Sequence, residues 1–298
     1  MSRLPSPLIH LAQGLAMGSA DVVPGVSGGT VALVVGIYER LIHSVRAGAS
    51  GIFAAVRLDL AEARRRFGEV EWGLMLPLGV GIVVALYIGS RIVPHLLETY
   101  PVQVRALFFG LILGSLFIPL RRMRHIGRPE LLLMAVAAVA AFFLVGLPPR
   151  AIADPPLLLV FAFAAIAICA MILPGVSGAF LLLVLGIYEA TLGALSSLDV
   201  PYIAVFVAGA AVGLGLFSKL LEWLLERHHE WTMAALVGLM VGSLRALWPW
   251  LGEDREFLGP PDAGSLAVAV GLALLGAAVI LLSAWITRER LEDDLTPH

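Results

Sequence analysis

Residues 24–39 read PGVSGGTVALVVGIYE, and residues 174–189 read PGVSGAFLLLVLGIYE. Eleven of these sixteen positions are identical at an offset of 150. Chance similarity between two apolar runs does not account for a shared Pro-Gly-Val-Ser-Gly and a shared Gly-Ile-Tyr-Glu at the same spacing. A second correspondence follows at an offset of 128, where 106–116 (ALFFGLILGSL) aligns with 234–244 (AALVGLMVGSL). The same register pairs Ser90 with Ser218, Arg91 with Lys219 and Glu98 with Glu226. The fall in offset from 150 to 128 puts 22 extra residues in the first half, assigned to the polar stretch 46–72. The chain therefore divides into tandem halves, 1–150 and 151–298.

Composition says what the halves are made of. Of 298 residues, 59% are hydrophobic and 14% charged, with a mean hydropathy of +0.94. A soluble domain is nearer half apolar and a quarter charged. The formal net charge of -2 leaves no basic field for a nucleic acid. A single cysteine, Cys169, excludes a disulfide framework within one chain and a Cys-based zinc site. Apolar runs lie at about 8–23, 26–45, 73–97, 102–120, 131–148, 155–173, 176–195, 201–226, 231–250 and 265–287. A helix needs roughly 20 apolar residues to cross the hydrocarbon core, and there is no alternating pattern of a β-barrel. The reading is an all-α polytopic membrane protein. The start, with Arg3, an apolar stretch and Gly18-Ser19-Ala20, has the outline of a signal peptide. The matching segment in mid-chain argues against that.

Each half holds five hydrophobic segments. Five crossings is an odd number, and so is three if the first two form a re-entrant hairpin. Either way the second half is expected to be inverted relative to the first, a recurring design of secondary transporters. Thirteen arginines fall on the side of the N-terminus and two, Arg150 and Arg255, on the other. The positive-inside rule then puts both termini and the insertion 46–72 in the cytoplasm, the chain being a multi-pass protein of the cytoplasmic membrane. Within the insertion, Ile52, Phe53, Val56, Leu60 and Phe67 fall at helical spacing with arginines between. That suits either an interfacial helix or a solvated loop.

The duplicated motif is the strongest candidate site. Pro and Gly interrupt a helix, and backbone freed at membrane depth needs a protein-buried or water-lined setting. Broken or re-entrant helices are therefore expected there, with Gly25, Gly28, Gly29, Gly175 and Gly178 presenting N–H groups to an anion. Ser27, Ser177 and Thr30 would add hydroxyls. The bland alternative is a tight turn between ordinary helices. Arg91 and Lys219, in apolar runs, are candidates to neutralise an anionic head group, against snorkelling or pairing with Glu98 or Glu226. Arg105 and Arg245 lack a basic counterpart in the other half and rank lower. Asp21, Glu39 and Glu189 are candidate proton carriers, although Arg40 beside Glu39 suits an interfacial ion pair. No Walker pattern, metal-ligand cluster or cofactor motif is present.

These two motifs, each followed by an apolar helix and Gly-Ile-Tyr-Glu, resemble the PopT-type polyprenyl-phosphate translocases, a membrane family formerly of unknown function. The resemblance runs over nearly the whole chain and is specific in the motifs. It implies flipping of undecaprenyl phosphate, the lipid carrier of cell-wall synthesis, and carries over Pro24, Gly25, Ser27, Gly28, Pro174, Gly175, Ser177 and Gly178. Gly178-Ala179-Phe180 departs from Gly28-Gly29-Thr30, making the halves unequal. Inward movement of an anion against a negative interior costs about 2.3 kcal/mol per charge per 100 mV, which co-transported protons would offset. The rivals are an integral-membrane polyprenyl-pyrophosphate phosphatase and a transporter of a small anion. The phosphatases resemble this chain in architecture but carry a Ser-Gly-His step and a glutamate cluster that are missing here.

Overall fold

The computed structural model describes residues 6–22, 27–148, 150–252 and 255–295, with side chains for all of these except 90, 93, 94 and 283–295. Among them the only strand-like pairing is an isolated bridge between Leu251 and Phe257; the rest is helix and short connections. The first half runs α1 (Ser6–Asp21), α2 (Gly28–Val34), α3 (Tyr38–Val56), α4 (Leu60–Gly68), α5 (Trp72–Thr99), α6 (Pro101–Ser115), α7 (Phe117–Arg122) and α8 (Arg128–Leu144). The second runs α9 (Leu157–Ile172), α10 (Gly178–Leu185), α11 (Tyr188–Ser197), α12 (Val200–Arg227), α13 (His229–Ser243), a 3-10 turn Leu244–Leu247 and α14 (Ala263–Leu295). The protein is a multi-pass membrane protein. Among the described residues, five helical stretches are able by length and hydropathy to cross a bilayer, and a sixth if α10 and α11 form one bent span. Large side chains on these helices, such as Leu76, Val83, Leu216 and Leu274, stand exposed where lipid would cover them.

Local chemistry explains the breaks. Leu173 precedes Pro174 and is extended at φ -73°, ψ 129°, which stops α9. Ser177, also extended, starts α10 by accepting the Phe180 N–H on its Oγ at 3.4 Å. Each motif helix then stops a second time, at the glycine of Gly-Ile-Tyr-Glu. Gly36 and Gly186 have φ of +77° and +88°, a left-handed conformation that favours glycine. The next residues return N–H groups to the preceding turn, Ile37 to Ala32 O at 3.0 Å and Ile187 to Leu182 O at 3.1 Å, closing each end as a Schellman cap. Across the second break α10 and α11 diverge by 103°. The sequence reading took 26–45 and 176–195 as single runs; the structure breaks each in two because only glycine sits at the turning point.

The stretch 46–72 is helical. It consists of the end of α3 and all of α4, with Ile52, Phe53, Val56 and Leu60 exposed and Phe67 half-buried. Asp59 caps α4 by accepting the Glu62 N–H at 3.0 Å. Arg65 and Arg66 both hydrogen-bond Glu62 and hold its carboxyl down at about 2.

The helices pair in matching ways in the two halves. α1 lies along α5 as α9 lies along α12, and α6 lies along α14 as α13 lies along α8. All four contacts are made by glycines four residues apart. A Cβ on Gly14 would lie 2.1 Å from Leu78 O, on Gly209 2.2 Å from Phe161 O, on Gly110 1.9 Å from Ala273 O and on Gly242 2.2 Å from Ala138 O. In lipid there is little hydrophobic gain from helix association, and close backbone approach through small residues supplies the van der Waals contact instead. Between these pairs, Leu33, Tyr38, Ile42, Leu74, Ile112 and Leu221 join Met233, Leu236 and Met240 in one buried cluster drawn from both halves.

Candidate functional site

The start of α2 meets the second motif turn. α9 ends with free backbone carbonyls, as every helix does, and the first half supplies their donors. Ser27 Oγ donates to Leu173 O at 3.2 Å and lies 3.4 Å from Met171 O. The Tyr38 hydroxyl donates to Ile172 O at 3.2 Å. In return Gly175, at φ +84°, donates its N–H to Thr30 Oγ1 at 3.0 Å. Gly29 allows this proximity, since a Cβ there would lie 2.6 Å from Ile172 O. Ser27, Thr30 and Tyr38 are all buried. A buried polar group without a partner costs about 1–3 kcal/mol, so these cross-contacts hold the start of α2 to the second turn.

The start of α2 is filled from within the chain. Gly28 donates its N–H to Asp21 Oδ1 at 2.6 Å, and Ser27 Oγ accepts the Gly29 N–H at 3.2 Å. A carboxylate thus sits where the sequence reading placed a bound anion. The second half differs. The counterpart of Asp21 is Met171, which covers Gly178 so closely that a Cβ there would lie 2.2 Å from its Cγ. The start of α10 carries the Ser177 cap and no carboxylate cover.

The other expected residues scatter. Pro24 and Gly25 lie outside the described residues. Thr30 and Ser27 reach the meeting point, but their hydroxyls are spent on protein groups and are not offered to a ligand in this arrangement. Ser177 and Gly178 are beside it. Arg91 and Lys219 are exposed on α5 and α12, Arg91 lying over the Tyr87 ring at 4.1 Å. The structure does not bring either to the turns, which fits outward-reaching cations on lipid-facing helices. Glu39 and Glu189 occupy the first turns of α3 and α11, both exposed, with Glu39 Oε1 3.5 Å from Arg122. An acid in a helix's first turn is placed well against the dipole without further function.

Two charged groupings escaped the sequence reading. Glu222 on α12 accepts from His43 at 2.8 Å and pairs with Arg46, both on α3. Its place in the middle of an apolar run was the available signal. Arg105, Arg245 and Arg255 gather at one end of the bundle, although the repeat register gives Arg105 and Arg245 no basic counterpart.

Next to the second turn a groove of about 460 Å³ opens between α8, α12 and α13. It runs from Leu173, Leu221 and Leu236 to Trp223, His228 and Trp231, and its lining is almost wholly apolar. It suits a hydrocarbon chain better than a hydrated solute.

Similarity to known proteins agrees with this picture. Residues 17–258 match the family described as undecaprenyl phosphate translocase-like. The chain is 38% identical to a polyprenyl-phosphate transporter of Vibrio cholerae over 239 residues, 80% of this chain and 76% of that one. It is 28% identical to a polyprenyl-phosphate transporter of Staphylococcus aureus over 298 residues, 94% of this chain and 97% of that one. No solved structure matches. With the family match over residues 17–258 and 38% identity to a polyprenyl-phosphate transporter over 80% of its length, the chain belongs to the undecaprenyl phosphate translocase-like family.

Proposed function

We propose that this protein is a transporter and moves polyprenyl phosphate between the leaflets of the cytoplasmic membrane, returning undecaprenyl phosphate to the cytoplasmic side. The observation that carries the reading is the contact between the start of α2 and the second motif turn, Gly175 N–H to Thr30 and Ser27 to Leu173, deep among apolar helices. A pathway for a charged head group needs polar backbone at membrane depth that is closed off when empty. In this reading the motif turns supply that backbone, and side chains of the first half close off the second turn. The adjacent apolar groove supplies room for an isoprenoid tail.

The halves 1–150 and 151–298 are read as inverted repeats, with both termini and the α3–α4 segment cytoplasmic. The matched pairing of α1 with α5, α9 with α12, α6 with α14 and α13 with α8 supports this. Access from alternate sides follows if the turns part, exposing Gly25, Ser27, Gly28, Gly29, Thr30, Gly175, Ser177 and Gly178 to the phosphate. Asp21 is the coupling group in this reading. Protonation of its carboxylate would weaken its hold on Gly28 N–H and add a positive charge to the inward step. Transport is favoured over hydrolysis because Ser27 Oγ is held between the Gly29 amide and the Leu173 carbonyl. A serine nucleophile needs a base in that place.

The test uses purified protein in liposomes carrying labelled polyprenyl phosphate and, separately, the pyrophosphate form. Head-group exposure in each leaflet and inorganic phosphate release are followed together, with and without a pH gradient. Flipping without phosphate release is expected. Phosphate release from the pyrophosphate lipid would make the protein a phosphatase, and neither activity would point to a small-anion transporter.

A further inference from the structure

Three arginines from distant parts of the chain come together where α6 begins, α13 ends and the following loop passes over α8. Each guanidinium uses a backbone carbonyl as its anchor. Arg105 Nη1 donates to Leu251 O at 3.0 Å, Arg245 Nη1 to Phe142 O at 3.1 Å and Arg255 Nη1 to Val145 O at 2.7 Å. Arg255 also lies over the Phe180 ring at 4.4 Å, and Arg245 over Phe142 at 4.6 Å. All three side chains are half-buried. Burial, and the guanidinium charges of Arg245 and Arg105 close by, push the Arg255 guanidinium below its ordinary range.

The plain explanation is that Arg245 and Arg255 cap free carbonyls at the end of α8, while Arg105 ties down the loop at Leu251. Three within each other's field repel, and among the described residues no carboxylate pairs with any of them. Of the described acids in this loop, Glu256 is exposed and folds over Gly252, and Asp262 accepts the Ser265 N–H at the start of α14; Glu253 and Asp254 lie outside the described residues. A guanidinium carries five N–H donors, and among the described residues each of these makes one hydrogen bond. Arg245 Nε is buried and has no hydrogen-bond partner among them. Within the described residues the arrangement has charge and donors to spare, directed by anchors rather than left on flexible stems.

Its surroundings match an amphiphile. Phe142 and Phe257 stack at 5.8 Å, and Trp248 sets its edge against Phe257 at 5.7 Å and Trp250 at 5.8 Å. Tryptophans gather at the membrane–water boundary. Phe180, under Arg255, is the residue whose N–H is held by Ser177 at the second turn. Arg255 therefore stands one residue's contact away from the start of α10.

We propose that Arg105, Arg245 and Arg255 form a binding site for a phosphomonoester anion, through which the head group reaches the second turn. The transport reading supplies only the lipid that bears this phosphate; the anion site itself stands on the arginine geometry. Guanidinium forks bind phosphate oxygens in pairs, and one dianion would relieve the repulsion within the cluster.

The test is titration of the full-length protein in nanodiscs with farnesyl phosphate, farnesol and inorganic phosphate, alongside liposome transport. Arg245→Gln and Arg255→Gln are expected to weaken farnesyl phosphate binding by about tenfold or more, leaving farnesol unchanged. Gly146→Ala should act in the same direction. A Cβ there would lie 2.1 Å from Arg245 Cζ, displacing the guanidinium without removing its charge. Inorganic phosphate that competes in the wild type and not in the variants would name free phosphate as a source; competition by the lipid alone would name the head group. A measurement without variants guards against misfolding. Farnesyl phosphate should protect Arg245 and Arg255 of the wild type from an arginine-specific dicarbonyl, scored by mass spectrometry. Undiminished binding in folded variants, or no protection at saturating ligand, overturns the site. If transport persists with either result, the site alone has failed. If the arginines bind phosphate and no lipid is moved, the transport reading has failed and the site stands.

Discussion

Thr30 on α2 accepts the backbone N–H of Gly175 across the centre of the molecule at 3.0 Å, in a place where both residues are buried. With Ser27 on Leu173 O and Tyr38 on Ile172 O, this bond joins the first half to the second motif turn. Thr30→Val keeps the shape and removes the acceptor, leaving the Gly175 N–H unsatisfied. A loss of about 1–3 kcal/mol is expected, read as a lower midpoint of thermal unfolding in detergent. If the turns must part during transport, the leaflet-exchange rate will change as well. Unaltered stability would mean that water replaces the hydroxyl and that the turns are looser than described.

The glycine contacts between helices make a sharper stability prediction. Gly110→Ala puts a methyl 1.9 Å from the Ala273 carbonyl, a backbone atom that cannot rotate away. Overpacking of this kind costs about 1–3 kcal/mol. Gly79→Ala, with nothing within 4 Å of the added atom, is the matched control and should be neutral. Equal melting temperatures for the two variants would contradict the α6–α14 packing.

Asp21→Asn separates charge from hydrogen bonding. The amide oxygen still accepts from Gly28, so the α1–α2 corner should keep its stability. A proton-carrying role predicts that the pH-gradient dependence of lipid movement disappears while binding of farnesyl phosphate survives. Unchanged gradient dependence in reconstituted vesicles removes Asp21 from coupling.

A contrast in pH response is expected in α4. Arg65 and Arg66 lower the Glu62 pKa from 4.5 to about 2. A carboxyl depressed in the folded state contributes above its unfolded pKa and loses that contribution as pH falls through the folded one. The Glu62 pairs should therefore be unchanged between about pH 5 and 8. Hydrogen exchange of the α4 amides, corrected for intrinsic rates, should show no step in that window. Protection that stays constant as pH falls from about 4 towards 2 would mean that these ion pairs do not form in solution.

The repeat itself was legible from one pair of sixteen-residue stretches, because identical turn chemistry at identical spacing is a local property of the chain. So were most helix positions, since a bilayer-length apolar run has few alternatives to a helix. The second break in each motif helix was harder to read. Gly36 and Gly186 stand in apolar runs, and whether a glycine continues a helix or reverses it depends on what the next segment packs against. The four pairs of glycines spaced by four were visible as a pattern, but only their partners show which carbonyls they approach.

The sequence by itself determined the membrane character and the duplicated Pro-Gly-Val-Ser-Gly motif, for these rest on composition, periodicity and residue identity at fixed spacing. Tertiary structure alone decided what the polar groups do. It spent the Ser27 and Thr30 hydroxyls on the opposite repeat, set Asp21 on Gly28, turned Arg91 and Lys219 outward and gathered Arg105, Arg245 and Arg255. Apart from Asp21 on Gly28, which are near neighbours in the chain, these hydrogen bonds and guanidinium anchors join residues more than a hundred positions apart, and a repeat register aligns like with like without saying which unlike residues will meet.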